Sequence, residues 1–225
     1  MRLGRERAMN VLIVEDHTMV RELLEIACGQ VLPGARVVTC GTCAEALAAS
    51  RENSPELVLL DLVLPDGDGL DLLPALFGVA PGAKVIALSS HIDEFTLHRA
   101  MSSSVHGILD KNEQPVRILR EAIKTVLDGG QYLSSFVKRL KASIRANPAA
   151  FDKILSDREQ QVLRLIGEGL ANDRIAARLG ISMSTAKHHR LSIMAKLDMH
   201  STPQLIRYAI EKGFARIPEG LPPGA

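Results

Sequence analysis

Tryptophan is absent from this 225-residue chain, and aromatic residues of all kinds make up 3% of it. So few rings argue against a binder of single-stranded nucleic acid, which stacks bases on aromatic side chains. Cysteine is scarce too: three residues, an odd number, are too few for a disulfide scaffold. No uninterrupted apolar run approaches the ~18 residues of a membrane span, and the first residues form no apolar signal-peptide core. A cytoplasmic protein with no membrane contact is expected. Net charge is nearly missing as well, at +1, but that sum conceals two opposite parts. Residues 1–130 hold 12 Lys and Arg against 18 Asp and Glu, whereas residues 131–225 hold 15 against 8. What is present is an ordinary globular composition, 46% hydrophobic and 24% charged. An acidic part followed by a basic one implies two domains with different partners, the basic one pointing toward nucleic acid.

Met1 to Ala8 are polar and basic and are read as a flexible extension. From Asn10 onward, short apolar runs occur at Asn10–Val14, Ala35–Thr39, Leu57–Leu60, Lys84–Leu88 and Gly107–Leu109. Helical spacing fills the gaps, at Thr18–Gln30, Cys43–Asn53, Leu70–Ala80, Glu94–Met101 and Pro115–Asp128. Thr42 followed by Glu45 is a capping-box signal, and Gly129-Gly130 is a stop. Five strand–helix repeats predict an α/β domain over 9–130, a doubly wound parallel five-stranded sheet with helices on both faces. Residues 131–152 show no strand signal. They are basic through Lys138, Arg139, Lys141 and Arg145 and are read as a partly helical linker. Residues 153–217 have only helical periodicity and predict a small all-α domain. Ser156 with Glu159 caps its opening helix, followed by helices at about Asp173–Leu179, Met183–Leu197 and Pro203–Lys212. The tail 218–225 is expected to be disordered.

Ligands of an open parallel sheet bind beyond the carboxyl ends of the strands. Glu15 and Asp16 follow the first run, Asp61 the third and Ser89 the fourth, and Lys111 lies two residues beyond the fifth. With strand order 2-1-3-4-5 these side chains converge. Three carboxylates at one point need a cation, and an all-oxygen set suits Mg²⁺. An Asp carboxylate can attack phosphorus to give an aspartyl phosphate, with a metal and a Lys neutralising the phosphoryl oxygens.

The segments Val-Leu-Ile-Val-Glu-Asp-His (11–17), Leu-Val-Leu-Leu-Asp-Leu-Val-Leu-Pro-Asp-Gly-Asp-Gly (57–69) and Lys-Val-Ile-Ala-Leu-Ser-Ser (84–90), with Lys111, resemble a response-regulator receiver domain of the flavodoxin-like fold. The resemblance covers about 10–130. It implies that Asp61 is the phosphoacceptor and that Glu15, Asp16, Asp61 and the backbone carbonyl of Val63 hold Mg²⁺. It further implies that Ser89 is the switch hydroxyl and Lys111 the phosphate-contacting lysine. Two departures stand out. Ile108 occupies a position where receivers usually carry Tyr or Phe, and Ser102-Ser103-Ser104 replaces the usual Gly ahead of that strand. Weaker phosphate control than in receivers with the aromatic is expected. Asp66-Gly67-Asp68-Gly69 superficially resembles a calcium loop, but its twelfth position is Phe77, so a turn is expected.

In the basic part, 172–191 reads as helix, a turn containing Gly180, and helix. Ala186, Ile193 and Leu197 share one arc of the second helix; Ser184, Lys187, His188 and Leu191 share nearly the opposite arc. Thr185, His189 and Lys196 flank that arc, and Arg190 lies at its boundary. A buried stripe opposite a polar, basic stripe suits a helix that enters a major groove. Leu-Ser-Asp-Arg-Glu-Gln-Gln-Val-Leu (155–163), Gly-Glu-Gly-Leu-Ala-Asn-Asp-Arg-Ile-Ala (167–176) and Ser-Thr-Ala-Lys-His-His-Arg (184–190), continued by Ile-Met-Ala-Lys-Leu (193–197), resemble a LuxR-type helix-turn-helix. Together the two resemblances give the NarL/FixJ-type architecture. They imply a histidine kinase as phosphoryl donor, a homodimer on activation, and double-stranded DNA with paired half-sites. Lys187, His188 and Leu191 would face bases; Leu191 cannot donate a hydrogen bond, so it reads a thymine methyl or nothing.

Two other functions fit parts of the sequence. Cys40-Gly41-Thr42-Cys43, between a strand and a helix, has the setting of a redox pair and would make a redox-sensing DNA binder. Asp61 could instead serve an aspartate-nucleophile phosphohydrolase. The haloacid-dehalogenase type of such enzymes has a second Asp two residues on, where this chain has Val63. A regulator rather than an enzyme is expected. Cys28 is assigned to the core, and His17, His91, His98 and His106 show no metal-ligand spacing.

Overall fold

A computed structural model of the chain describes residues 8–113 and 115–215. The extension read at the N-terminus, Ala8 apart, and the tail expected at 218–225 lie outside the described residues. The chain divides into two compact units. Among the described residues, one is made of 8–92 together with 99–113 and 115–139, the other of 93–98 together with 140–215.

The first unit begins with β1 (Asn10–Val14), α1 (Thr18–Val31), β2 (Arg36–Cys40), α2 (Cys43–Asn53) and β3 (Leu57–Asp61). A short hairpin, β4 (Val63–Leu64) and β5 (Gly67–Asp68), leads into α3 (Gly69–Val79). Then come β6 (Lys84–Ser89), α4 (Glu94–Ser102), β7 (Gly107–Asp110), α5 (Pro115–Leu127), β8 (Tyr132–Leu133) and α6 (Ser135–Ala146), of which residues 94–98 of α4 and 140–146 of α6 group with the second unit. The main sheet has the order β2-β1-β3-β6-β7-β8, with every pairing parallel. β3 is buried at all five positions, as a strand covered on both faces must be. Alternate residues serve different layers. Val11, Ile13, Leu57, Leu59, Ile86 and Leu88 pack with Leu24, Ala27 and Cys28 of α1 and Leu119, Ala122, Ile123 and Val126 of α5.

The sheet has six strands where the sequence predicts five. The extra strand, β8, lies in the stretch read as a strandless linker. Two residues are too few to show alternation. They pair because β7 would otherwise present an open edge. Tyr132 N donates to His106 O at 3.0 Å and Ser134 N to Ile108 O at 3.0 Å. Gly129 makes the preceding turn with φ of +86°, a conformation open to glycine at no steric cost. Immediately afterwards the backbone N–H of Phe136, in the first turn of α6, donates to Glu113 Oε1 at 2.8 Å. A carboxylate at a helix N-terminus satisfies an orphan donor and opposes the helix dipole. The start of the expected linker is thus fastened to the sheet.

The expected cap of α2 is present: Glu45 N donates to Thr42 Oγ1 at 3.1 Å, while Glu45 Oε2 accepts from Gly41 N at 2.8 Å. Asp66, from the hairpin turn, adds a second cap by accepting from Cys43 N at 2.8 Å and Ala44 N at 3.0 Å. Those backbone bonds hold its carboxyl below the usual range. Asp68 accepts from Leu70 N at 2.9 Å and pairs with Arg99. The loop is a turn, as expected, and its carboxylates are engaged with N–H donors.

The second unit contains α7 (Phe151–Ile154), α8 (Asp157–Gly167), α9 (Asn172–Leu179), α10 (Met183–Lys196) and α11 (Thr202–Glu211). Leu163, Ile166, Ile175, Ala186, Ile193, Leu205 and Ala209 form its core. The capping box at α8 is closed in both directions: Glu159 N donates to Ser156 Oγ at 3.4 Å and Ser156 N to Glu159 Oε2 at 2.8 Å. Glu159 also receives Ser192 Oγ and Lys196 Nζ from α10, each at 2.7 Å. Burial favours the neutral carboxyl, but these bonds outweigh it and hold Glu159 down at about 2.

Glu159 therefore couples the stability of this unit to pH. A carboxyl held at about 2 in the fold, against 4.5 when unperturbed, contributes its full stabilisation above pH 4.5 and loses it as pH falls toward 2. Glu159→Gln is expected to cost about 3 kcal/mol at neutral pH in a denaturant titration. The gap to the natural chain should close as pH falls through that window; a gap independent of pH would contradict the ion pair.

Candidate functional site

Four adjacent strands, β1, β3, β6 and β7, bring their carboxyl ends together. Glu15 extends β1, its N–H donating to Cys40 O at 2.9 Å. Asp61 is the last residue of β3 and Ser89 the last of β6. Lys111 follows β7, its N–H donating to Ser89 O at 2.9 Å. Glu15, Asp61 and Ser89 are buried, while Asp16 is partly open to solvent. The Lys111 ammonium lies 2.5 Å from Glu15 Oε2 and 2.6 Å from Asp61 Oδ2. Val63 N donates to Asp61 Oδ1 at 3.0 Å. Burial pushes the Glu15 carboxyl up, against the opposing pull of Lys111. The Ser89 hydroxyl donates to His91 O at 2.8 Å and accepts from His91 N at 3.1 Å, so it faces the loop after β6. Gly69 abuts this centre: a Cβ there would lie 2.2 Å from the carbonyl oxygen of Asp61.

Several residues at this site were not legible in the sequence. His17 Nδ1 lies 2.8 Å from Asp16 Oδ1, and Glu15, Asp16 and His17 form one compact group of ligand atoms. Arg21 Nη1 donates to Glu15 O at 2.8 Å and so fixes the acidic pair's backbone. Asn112 N donates to Asp110 Oδ1 at 2.9 Å, and its side chain donates to Ser90 O at 2.8 Å. The Asp110-x-Asn112 spacing was the available signal, since Asp hydrogen-bonds its own backbone two residues on.

In the second unit α9 ends at Gly180, whose φ of +64° lets the chain turn into α10. Ser182 caps α10, accepting from Thr185 N at 3.0 Å. Its hydroxyl also lies 2.8 Å from Ser184 Oγ and 2.7 Å from Thr185 Oγ1. Ala186 and Ile193 are buried as expected, and Ser184, Thr185, Lys187, His188 and Leu191 are exposed. His189 is half-buried. Lys196, expected to flank the groove-facing arc, and Arg190, expected at its boundary, also have partners within the fold. Arg190 Nε donates to Asn172 Oδ1 at 2.8 Å and Nη2 to Leu170 O at 3.1 Å, joining α10 to the start of α9. Lys196 is paired with Glu159. A helical wheel shows where a side chain starts, not which polar partner it meets.

Residues 11–124 match the response regulator receiver domain, and residues 153–209 match the luxR family of bacterial regulatory proteins. The chain belongs to the response-regulator family. The oxygen regulatory protein NreC of Staphylococcus aureus is 31% identical over 213 residues, spanning 91% of this chain and 98% of that one. NreC of Staphylococcus epidermidis is 29% identical over 214 residues, with the same coverage. The response regulator RcsB of Salmonella enterica serovar Typhimurium, solved on promoter DNA with the phosphomimetic BeF3⁻, superposes with a TM-score of 0.64 at 27% identity. That superposition covers 89% of this chain and 97% of that one. Another RcsB–DNA complex gives 0.62 at 26% identity, over 91% and 98%.

Receiver domains of response regulators use Mg²⁺ in phosphorylation, and the donor set here is compatible with it. Glu15 and Asp16 offer hard oxygens in one compact group with His17, Asp61 lies across Lys111 from Glu15, and the partly open Asp16 gives an approach from solvent. Lys111 occupies the gap between Glu15 and Asp61 and competes with a cation for both. Lys111→Met leaves two buried carboxylates facing each other, a loss of about 3–5 kcal/mol for a broken buried pair. Thermal melts should therefore show a lowered midpoint without divalent cation, and a larger rise on adding MgCl2 than in the natural chain. Equal Mg²⁺-induced shifts in both proteins would contradict the competition.

Proposed function

We propose that this response regulator takes a phosphoryl group from a histidine kinase onto Asp61 and, as a homodimer, binds paired half-sites on double-stranded DNA through α10 to regulate transcription in the cytoplasm. The observation that carries the reading is the Lys111 ammonium bridging Glu15 and Asp61 at the strand ends, in a chain that also presents a helix-turn-helix. A carboxylate oxygen of Asp61 attacks phosphorus as the phosphorus–nitrogen bond to the kinase histidine breaks and the imidazole leaves with that electron pair. Glu15, Asp16, Asp61 and the Val63 carbonyl would hold Mg²⁺, which neutralises charge on the phosphoryl oxygens. Lys111 re-pairs from the Asp61 oxygen to a phosphoryl oxygen, and the Ser89 hydroxyl leaves His91 O to donate to another. On DNA, Lys187 donates to guanine acceptors, while Ser184, Thr185, His188, His189 and Leu191 line the same approach. Arg190 and Lys196 set the angle of α10 through their partners on neighbouring elements. The RcsB complexes with promoter DNA and BeF3⁻ support this reading.

The competing readings lose support from the geometry. Burial pushes the Cys40 thiol up to about 12 and the Cys43 thiol to about 11, with Asp66 adding to the latter. Both thiols are then protonated at neutral pH, whereas redox exchange needs a thiolate. The phosphohydrolase reading lacks a second acid where Val63 stands.

Acetyl phosphate with Mg²⁺ should add one phosphoryl group, read by intact mass and mapped to Asp61. Asp61→Asn should abolish the gain and Asp16→Ala should reduce it sharply; undiminished labelling of Asp61→Asn would sink the assignment. For DNA, Lys187→Ala should cost about 1–3 kcal/mol on a preferred duplex and less on random duplex, by fluorescence anisotropy. Equal losses on both would make Lys187 a phosphate contact only.

A further inference from the structure

Between Asp128 and Asp152 the chain has no acidic residue, and α6 lies within that stretch. At about 100° per residue, Lys138, Lys141 and Arg145 of α6 fall within about 60° of one another, and Val137, Leu140 and Ile144 share another arc of about that width. The apolar arc is covered: Val137 is fully buried, and Leu140 and Ile144 are half-buried. The three cations are exposed. An acid three or four residues away along the helix would neutralise each of them, and positions 134–149 offer none. Among the described residues none of the three meets a carboxylate at ion-pair distance. Lys138 lies 5.7 Å from the centre of the Tyr132 ring, and it is the neighbouring Arg139 that reaches Glu113, at 3.9 Å.

The far end of the helix is covered by a further cation. Lys153 Nζ donates to Arg145 O at 2.9 Å and to Asn147 O at 2.7 Å. Open carbonyls at a helix C-terminus carry partial negative charge that would repel an anion, and the ammonium offsets it. Residues 140–146 group with the second unit, so Lys141 and Arg145 belong to the same unit as α10. An unneutralised row of cations calls for a polyanion. A lipid surface fits badly, because an interfacial helix buries its apolar face in the lipid and the apolar face of α6 is already covered. A protein partner fits less well, since lysine is depleted at the centre of protein interfaces. From Lys138 to Arg145 the helix advances about 10 Å, the axial span of about three phosphates on one DNA strand.

We propose that Lys138, Lys141 and Arg145 make α6 a second DNA-binding site, which holds about three adjacent backbone phosphates of one strand. The inference rests on the proposed binding of DNA through α10. The contact carries no sequence information: it adds affinity by releasing the counterions condensed on those phosphates. The segment between the sheet and the helix-turn-helix is then part of the DNA-binding surface as well as a connection.

The test titrates the full-length protein with a preferred and a random duplex over a series of salt concentrations, alongside the triple variant Lys138→Gln, Lys141→Gln, Arg145→Gln. Three neutralised phosphates are worth about 2.7 in the slope of log affinity against log salt. The variant's slope should be shallower by that amount per protomer on both duplexes, so its deficit shrinks about fortyfold between about 50 and 200 mM salt. Its preference between the two duplexes should be retained. The charge-keeping variant Lys138→Arg, Lys141→Arg, Arg145→Lys should bind like the natural chain. Phosphate ethylation interference locates the contact: a group of adjacent phosphates on one strand should interfere with the natural chain and not with the glutamine variant. The three side chains are exposed and glutamine is a good helix former, so the fold is kept, and circular dichroism verifies it. A natural slope in the glutamine variant, or the same ethylation pattern in both proteins, overturns the inference while leaving DNA binding through α10 intact. Absence of any duplex binding overturns the DNA reading and this inference with it.

Discussion

The Lys111 ammonium stands between two buried carboxylates, Glu15 at 2.5 Å and Asp61 at 2.6 Å, and the arrangement of the sheet ends depends on it. Two like charges at adjoining strand ends repel strongly where the dielectric is low. The ammonium turns that repulsion into a pair of charge-assisted hydrogen bonds. A phosphoryl group on Asp61 would offer the same ammonium a more highly charged partner. The group that stabilises the resting fold is therefore the group a phosphate would redirect. Gly69 and Arg21 serve this arrangement from outside it, one by letting α3 start against the Asp61 carbonyl and the other by holding the Glu15 carbonyl.

Lys111 sits in a tight turn whose neighbours reach outward. Asn112 clips the turn to Ser90 O, one residue past the Ser89 hydroxyl, and Glu113 holds the first turn of α6 through Phe136 N. Three consecutive residues thus touch the acidic pocket, the loop after β6 and the helix that follows β8. Ile108, in the neighbouring β7, is buried. The polar turn 110–113 connects Lys111, and through it Asp61, to the loop after β6 and to the first turn of α6.

The sequence carried the sheet and its order because each long strand is an apolar run bounded by turn residues, and because Glu15, Asp61, Ser89 and Lys111 stand at or just beyond the ends of the central strands. β8 was invisible because a two-residue strand has no period; the edge of β7, a tertiary feature, makes it. The convergence of Glu15, Asp61 and Lys111 was legible from strand order alone. Their partners His17, Arg21 and Asn112 were not, because one-to-one hydrogen bonds between distant residues leave no periodic trace. On α10 the buried arc of Ala186 and Ile193 followed the expected wheel. Arg190 and Lys196 also meet partners the wheel does not show, because long cationic side chains reach well off their own arc: Asn172, Leu170 and Glu159. Glu159 shows the same limit from the other side. Its capping role was readable from Ser156-x-x-Glu159, but its two bonds to α10 were not.

Control of DNA binding by the state of Asp61 is the central claim, and it can be read without knowing the kinase. A second half-site contact within a dimer is effectively intramolecular, so a receiver that favours dimers raises affinity without touching DNA. Full-length protein is titrated against a duplex carrying two half-sites, with Mg²⁺ and with or without beryllofluoride, alongside sedimentation velocity. The account predicts a shift toward a dimer and a tighter duplex complex with the phosphoryl mimic. Unchanged mass and unchanged affinity, while fluorine NMR shows the mimic bound, would contradict it and leave a DNA binder indifferent to its own receiver.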